Sequence, residues 1–313
     1  MSHDVTVVGL MILDILGRPV ERIPDGGNVE FIEEIRLTVA GTAGGTVVDC
    51  AKLGLNSMAV GCVGNDEKGD FILDSYRRFG IDISAMQRTD AAPTSATILN
   101  VRPNGDRPAL HVRGASDHLK VEESDYDRIL DARFLHMGGT GLLQMMDGYP
   151  TEQLLKAAKA RGLTVTFDLI APNAGTLELL KPCLPYVDYF MPSMEEAAFM
   201  SGMTDPDAIS DFYLGLGARA CVFKWGARGS YYATPDHRER VPAYRVEVSD
   251  TTGCGDAYCA GFIAGLAQGW GPDRACRLGT AASGLVATGL GSDAGIVDLP
   301  STIAFMESAE ILD

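Results

Sequence analysis

The chain has 313 residues, 46% of them apolar and 22% charged, an ordinary globular balance that excludes collagen-like, disordered and mucin-like chains. Its formal charge of -16 repels phosphate backbones and anionic headgroups, and no basic patch offsets it, so neither nucleic acid nor a membrane is an expected partner. A small anionic ligand stays open, because a glycine-rich turn with one or two cations reverses the field inside a cleft.

In chain order, apolar runs rich in Val, Ile and Phe at 5–10, 57–64, 132–138, 163–169, 187–192 and 218–226 alternate with helical periodicity at 43–54, 68–79, 149–161, 174–181, 193–201 and 206–216. This alternation predicts βαβ units on a mostly parallel sheet. Two long helices, at 254–268 and 272–290, are expected to close the chain. Two insertions, 19–39 and 94–114, read instead as extended strands with turns, the second carrying the hairpin pair Asn104-Gly105. Together they predict a small β-sheet lid on one domain covering 1–313, with a decorative hairpin as the alternative.

The N-terminal MSHDVTVVGL lacks a charged segment followed by an apolar one, and the longest uncharged run, 257–272, is too short for a membrane span of about 20 residues. A cytoplasmic protein is the expectation. Seven cysteines, with no C-x-x-C pair, fall mostly inside apolar runs, as reduced core cysteines do; Cys254 is the exception.

That exception lies in DTTGCGD, residues 250–256, just where the first of the two closing helices begins. Amides at a helix N-terminus have no intrahelical partner and sit at the positive end of the helix dipole, so a glycine turn there wraps an anion without obstruction. Gly253, Cys254 and Gly255 form such a cradle, and Asp256 on the first turn projects toward the same point. A carboxylate cannot bind the anion. It can accept a proton from a hydroxyl while the cradle holds charge developing on a transferring phosphoryl group. The alternative is a capping Asp after a tight turn.

DTTGCGDAYCAGFIAGL resembles the C-terminal signature D-T-x-G-A-G-D of the ribokinase-like, or PfkB, family of sugar and nucleoside kinases, with Cys254 in place of the usual Ala. The resemblance implies a three-layer α/β/α fold with a mostly parallel central sheet and a small β lid. It also implies ATP-dependent phosphoryl transfer, with Mg2+, to a hydroxyl of a sugar or nucleoside, Asp256 being the base and Gly253, Cys254 and Gly255 the anion hole. Gly9 and Asp14 in VVGLMILDIL are similar to the family's first strand and its aspartate, which implies Asp14 as an acceptor of substrate hydroxyls. AGTAGGTVVDCAKLG, 40–54, is similar to the N-terminal glycine-rich signature, implying substrate contacts at Gly41, Gly44 and Gly45. KWGARG, 224–229, resembles the strand and turn beside the nucleotide, implying cofactor contacts at Lys224, Gly226 and Gly229, joined by Thr251, Gly253 and Gly255. PSMEE, 192–196, resembles the N-x-x-E motif, implying Glu196 as the residue that organises Mg2+ through water. A monovalent cation such as K+ beside the anion-hole loop, and a homodimer formed through the lid, also follow from the resemblance.

Ser193 replaces the Asn of N-x-x-E, Ala40 the first of the paired glycines, and Gly45 an Asn that binds substrate in many members. After Phe167-Asp168 the chain reads LIAPN, without the Asn and Arg of many sugar kinases, so a cation that meets the phosphate is missing there. These departures motivate an alternative function, a catalytically impaired sugar- or nucleoside-binding protein on the kinase scaffold. No G-x-x-x-x-G-K-[ST] loop, no G-x-G-x-x-G after a strand and no metal-ligand spacing among the histidines favours another chemistry, an NAD-linked oxidoreductase included. His111, on the lid, reads as a surface or satisfied residue.

Overall fold

A computed structural model of the chain describes residues 1–312. Its strands are β1 (His3–Gly9), β2 (Ile12–Arg18), β3 (Glu34–Ala40), β4 (Ser57–Val60), β5 (Cys62–Gly64), β6 (Gln87–Thr89) and β7 (Ala96–Asn100). They continue with β8 (Ala109–Val112), β9 (Ala132–Thr140), β10 (Thr164–Leu169), β11 (Tyr189–Phe190), β12 (Cys221–Lys224), β13 (Ser230–Ala233) and β14 (Arg238–Val241). The helices are α1 (Gly44–Lys52), α2 (Glu67–Arg78), α3 (Tyr126–Ile129), α4 (Tyr149–Ala160), α5 (Thr176–Leu180) and α6 (Met194–Ser201). After them come α7 (Pro206–Gly215), α8 (Cys254–Ala267), α9 (Pro272–Val286) and α10 (Leu299–Ser308).

Eight strands form the central sheet in the order β14-β13-β12-β11-β10-β9-β1-β4. Neighbours from β4 through β12 pair in parallel, and β13 and β14 add an antiparallel edge. Parallel strands need both faces covered, and the alternation of side chains supplies two cores. On one face Val8, Leu135, Met137, Phe167 and Phe223 pack with Leu154 of α4, Ala197 of α6 and Tyr213 of α7. On the other, Val5, Val7 and Phe134 pack with Val47 of α1, Ile72 of α2 and Ala260 of α8. This is the expected α/β/α layering, and it leaves the C-terminal strand ends open as a binding edge.

A second, four-stranded sheet in the order β3-β2-β7-β8 stands apart from the first. Its extent corrects the expectation from the sequence. Residues 19–33 carry no strand, and the sheet instead begins at Ile12, between the run 5–10 expected as the first strand and the insertion expected from 19. The loop at 10–11 turns the chain out of the central sheet, so Asp14 belongs to the small sheet. Pairing aligns Thr38, Asp14, Thr97 and His111 in one row across all four strands, and Leu37, Ile15, Ile98 and Leu110 in the next. Because successive residues face opposite sides, the polar row looks onto the main body while Leu37, Ile98 and Leu110 lie exposed on the outside.

Three other expectations shift. The run 57–64 breaks into β4 and β5, the latter paired only with β6 in a two-stranded sheet. The helix foreseen to 290 stops at Val286, and a third closing helix, α10, follows it. After α10 the chain returns to the main body, where Leu312 N–H donates to the Ala243 carbonyl at 2.8 Å. All seven cysteines are free, and each is buried except the half-buried Cys254, as the sequence implied. No helix among the described residues is long and apolar enough to cross a membrane.

Candidate active site

The two sheets enclose a cleft of about 990 Å³, with the C-terminal ends of β10 and β12, the start of α8 and the polar row of the small sheet in its walls. Among the sequence-predicted residues, Asp14, Gly41, Glu196, Lys224, Gly226, Gly229, Thr251, Gly253, Cys254, Gly255 and Asp256 line it.

At the head of α8, Gly253 adopts φ +77°, and a Cβ there would stand 2.4 Å from Ser292 Cα. Only glycine fits this turn. Its consequence is a row of free donors: the amides of Gly253, Gly255 and Asp256 have no acceptor among the described residues, while Cys254 N–H reaches the Thr251 carbonyl at 3.4 Å. Asp250 fixes the turn from below. Fully buried, it accepts from Thr252 N–H at 3.0 Å, Thr252 Oγ1 at 2.8 Å and Gly291 N–H at 2.9 Å.

Asp256 emerges from the first turn of α8 against α1. Burial raises its pKa from 3.8 to about 7, with the Asp168 and Asp14 charges adding to the effect and Lys224 and Arg107 opposing it. A carboxyl in that range is suited to take a proton near neutral pH. A Cβ on Gly45 would lie 2.7 Å from Asp256 Oδ2. Gly44 and Gly45 are buried behind the residues that line the cleft: Gly44 packs against Tyr76 and Met11, and Gly45 vacates the space that the Asp256 carboxylate fills.

Across the cleft, Asp14 is buried and its Oδ1 has no hydrogen-bond partner among the described residues. Burial lifts its pKa to about 7; Thr97 and Arg107 pull it down and Asp250 pushes it up. A buried carboxylate oxygen left unpaired inside a cleft marks a place where a ligand donor completes the hydrogen bonding. Beside it His111 Nδ1 lies 3.0 Å from Thr97 Oγ1, so His111 is hydrogen-bonded while it stays exposed at the cleft.

On the floor, Lys224 at the end of β12 is paired with Asp168 at the end of β10, and Asp168 is wholly buried. Burial works against the ammonium, but the charges of Asp168 and Glu196 hold the Lys224 pKa above the ordinary lysine range. Gly255 makes room for this group, since a Cβ there would stand 3.3 Å from Lys224 Nζ. Glu196 is partly spent on its own helix: Ser193 N–H and Oγ each donate to Glu196 Oε2 at 2.9 Å, and Glu196 N–H donates to Ser193 Oγ at 3.1 Å. Ser193 thereby caps α6 and aims Glu196, whose Oε1 has no hydrogen-bond partner among the described residues. One free carboxylate oxygen in a cleft fits Mg2+, which keeps most of its waters and takes one or two carboxylates plus phosphates.

Residues 2–298 match the family described as pfkB family carbohydrate kinase. The chain belongs to this family. This PfkB kinase is 26% identical over 308 residues to the ATP-dependent 6-phosphofructokinase of Thermoanaerobacterium thermosaccharolyticum, covering 96% of this chain and 91% of that one. It is 26% identical over 294 residues to the 2-dehydro-3-deoxygluconokinase of Bacillus subtilis, covering 90% of each. Among solved structures, a putative ribokinase II from E. coli in complex with ATP and Mg2+ is similar with a TM-score of 0.83 at 21% identity, over 97% of this chain and 99% of that one. The ribokinase of Thermotoga maritima reaches a TM-score of 0.81 at 25% identity, over 98% and 100%.

Sequence reasoning about the PfkB kinase left out Arg107, Thr97, Asp168 and Asp250 as site residues. Asp250 and Asp168 stood inside quoted motifs without a role. Thr97 carries no signal of its own, since only the pairing of β2 with β7 sets it beside Asp14. Arg107 stands two residues after the hairpin pair Asn104-Gly105, in a segment that also carries Arg102 and Arg113, so nothing local singles it out. Arg107 and Lys224 are cations that line the cleft from other elements than the segment after Asp168.

Proposed function

We propose that this PfkB kinase moves the γ-phosphoryl group of ATP, with Mg2+, onto a hydroxyl of a sugar or nucleoside in the cytoplasm. The observation that carries the reading is the convergence, in one cleft, of unpaired amides at Gly253 and Gly255 with Asp256 beside them and the unpaired Asp14 opposite. Asp14 binds the acceptor through its hydroxyls and presents one of them to Asp256. Asp256 takes that proton as the oxygen attacks, and the Gly253–Gly255 amides, with Cys254 between them, receive the negative charge on the moving group. Gly226 and Gly229 let the backbone approach the nucleotide; Gly229 already packs so tightly on β14 that a Cβ would meet the Val241 carbonyl at 1.9 Å. Glu196 would hold Mg2+ through its waters, and the ion would supply neutralising charge to the phosphates. Closure of the small sheet as a lid excludes the competing water.

The test is release of ADP over a panel of sugars, sugar acids, phosphosugars and nucleosides, with K+ present and replaced by Tris to read any monovalent-cation requirement. No turnover with any acceptor would leave a binding protein on a kinase scaffold. With the active acceptor, Asp14→Asn is expected to lower kcat/KM by about 10²-fold, since a hydrogen bond to a charged group contributes about 1.5–3 kcal/mol. An unchanged kcat/KM removes Asp14 from the site.

The apolar outer row of the small sheet, Leu37, Ile15, Ile98 and Leu110, reads as a face for a second copy of the chain, because an exposed apolar sheet face is costly to leave in water. Light scattering on wild type and on Ile98→Lys is expected to give dimer and monomer; a monomeric wild type ends this part of the reading.

A further inference from the structure

Around Asp14 the cleft alternates polar and apolar by strand register. The row that holds Asp14, Thr97 and His111 is flanked on the same face of the small sheet by Ile12 and Ala40 on one side and by Leu99 and Ala109 on the other. All four flanking residues line the cleft. Leu10, Leu142 and Ile170 complete the wall below them. A Cβ on Gly139 would stand 2.4 Å from Leu10 Cβ and 3.2 Å from Thr42 Oγ1, and one on Gly141 would stand 3.3 Å from the Ile170 carbonyl oxygen. Thr42 Oγ1, like Asp14 Oδ1, is buried with no hydrogen-bond partner among the described residues. Two oxygens that await donors therefore lie among apolar walls.

Charge is distributed as unevenly. Among the described residues, the Lys and Arg side chains that line the cleft are Arg107, Lys224 and Arg245. Each already faces a carboxylate: Arg107 the buried Asp250 at 3.8 Å, Lys224 the buried Asp168, and Arg245 Glu310 at 3.0 Å. Partial burial and the Arg113 charge lower the His111 pKa, against an opposite pull from Asp117, so near neutral pH it is an uncharged imidazole. Asp14, Glu195, Glu196 and Asp256 line the same space, and bound ATP adds further negative charge. An anionic acceptor finds no uncommitted cation there and meets like charge at short range. A free sugar fits no better. It carries a hydroxyl on nearly every carbon, and each one turned toward Ile12, Leu99 or Leu142 loses its water without gaining a partner. An acceptor with hydroxyls along one edge and an uncharged, flat, apolar body matches both parts of the wall.

We propose that the acceptor is a neutral nucleoside, its ribose hydroxyls on Asp14 and Thr42 and its base between the apolar rows of the small sheet and the wall formed by Leu142 and Ile170. Phosphosugars and sugar acids are rejected by the same distribution of charge. The inference rests on reading the cleft as a phosphoryl-transfer site and chooses among the acceptors which that reading leaves open. In the transfer the nucleoside oxygen bonds the γ-phosphorus as the bond to the ADP oxygen breaks, and the hydroxyl proton passes to Asp256, leaving ADP and a nucleoside monophosphate.

The wild-type chain is assayed with ATP and Mg2+ for ADP release, and by thermal shift with AMP-PNP present. The acceptors are adenosine, inosine, cytidine and uridine against ribose, fructose, ribose 5-phosphate, fructose 6-phosphate and gluconate. The best nucleoside is expected to exceed every sugar, phosphosugar and sugar acid by at least about 10²-fold in kcat/KM, the scale on which an apolar pocket discriminates. At saturation it should raise Tm by about 3 °C or more, and the anionic compounds by less than about 1 °C. Ala109→Asp changes an exposed position and sets a charge on the apolar row, so it should raise the nucleoside KM about tenfold. A phosphosugar, sugar acid or free sugar within about tenfold of the best nucleoside overturns the proposal, and an unchanged KM in Ala109→Asp overturns the seating of the base on the small sheet. The two readings fail separately. Turnover of a phosphosugar keeps phosphoryl transfer and ends the nucleoside assignment, whereas a wild type that turns over nothing yet is stabilised by a nucleoside keeps the assignment and ends the transfer.

Discussion

Asp256→Asn is expected to lose about 10²–10⁴-fold in kcat and, at the same time, to melt at a higher temperature than wild type above neutral pH. The first effect is the ordinary worth of a positioned proton acceptor. The second follows from linkage. The folded protein holds the Asp256 proton up to about pH 7, against an ordinary value of 3.8. Between those values the folded state binds more protons than the unfolded one, so stability falls as pH rises through the interval. Below about pH 4 the group contributes its full share; above about pH 7 that share is gone. Asn has no proton to lose. The variant and wild type should therefore melt together at pH 4 and separate by a few degrees at pH 8, while in wild type kcat rises with pH through about 7 as the base ionises. Calorimetry at the two pH values and a pH profile of ADP release check both halves. A variant within tenfold of wild-type kcat would falsify the base assignment, whereas equal melting at pH 8 would leave the base and remove the burial argument.

Lys224→Met is expected to cost about 3–5 kcal/mol of stability, the price of stripping the cation from a buried ion pair. Asp168 has no solvent exposure, and besides Lys224 its neighbours are the Leu169 amide at 2.9 Å and the Cys259 thiol at 3.5 Å, neither of which carries charge. Adding Asp168→Leu should return most of the loss, because replacing both members of a buried pair by apolar groups is close to neutral. Urea midpoints for the single and double variants decide it. A single variant no less stable than wild type would mean that the carboxylate finds water from the cleft.

The layered fold was legible because periodicity is a local property. Runs such as 163–169 and 218–226 contain β10 and β12, and the hairpin signal at Asn104-Gly105 lies between β7 and β8. The turn at 250–256 was legible for the same reason: its glycines, its acid and the helix behind them are contiguous. Residues 19–33 misled because a polar, turn-rich segment and an edge strand share composition. The resemblance placed Gly44 and Gly45 in the chain, and only packing shows that Gly45 lies against the Asp256 carboxylate.

The sequence by itself determined the α/β layers, the amide turn and the acid that follows it, since each depends on neighbours within a few positions. Only the tertiary structure decided that Asp14 stands in a row with Thr97 and His111, that Lys224 is matched to Asp168, and that Arg107 reaches the turn 144 positions away. Those pairings arise from strand register and from the approach of the two sheets, and the energy of a charge depends on what packing has removed from around it, which no local pattern records.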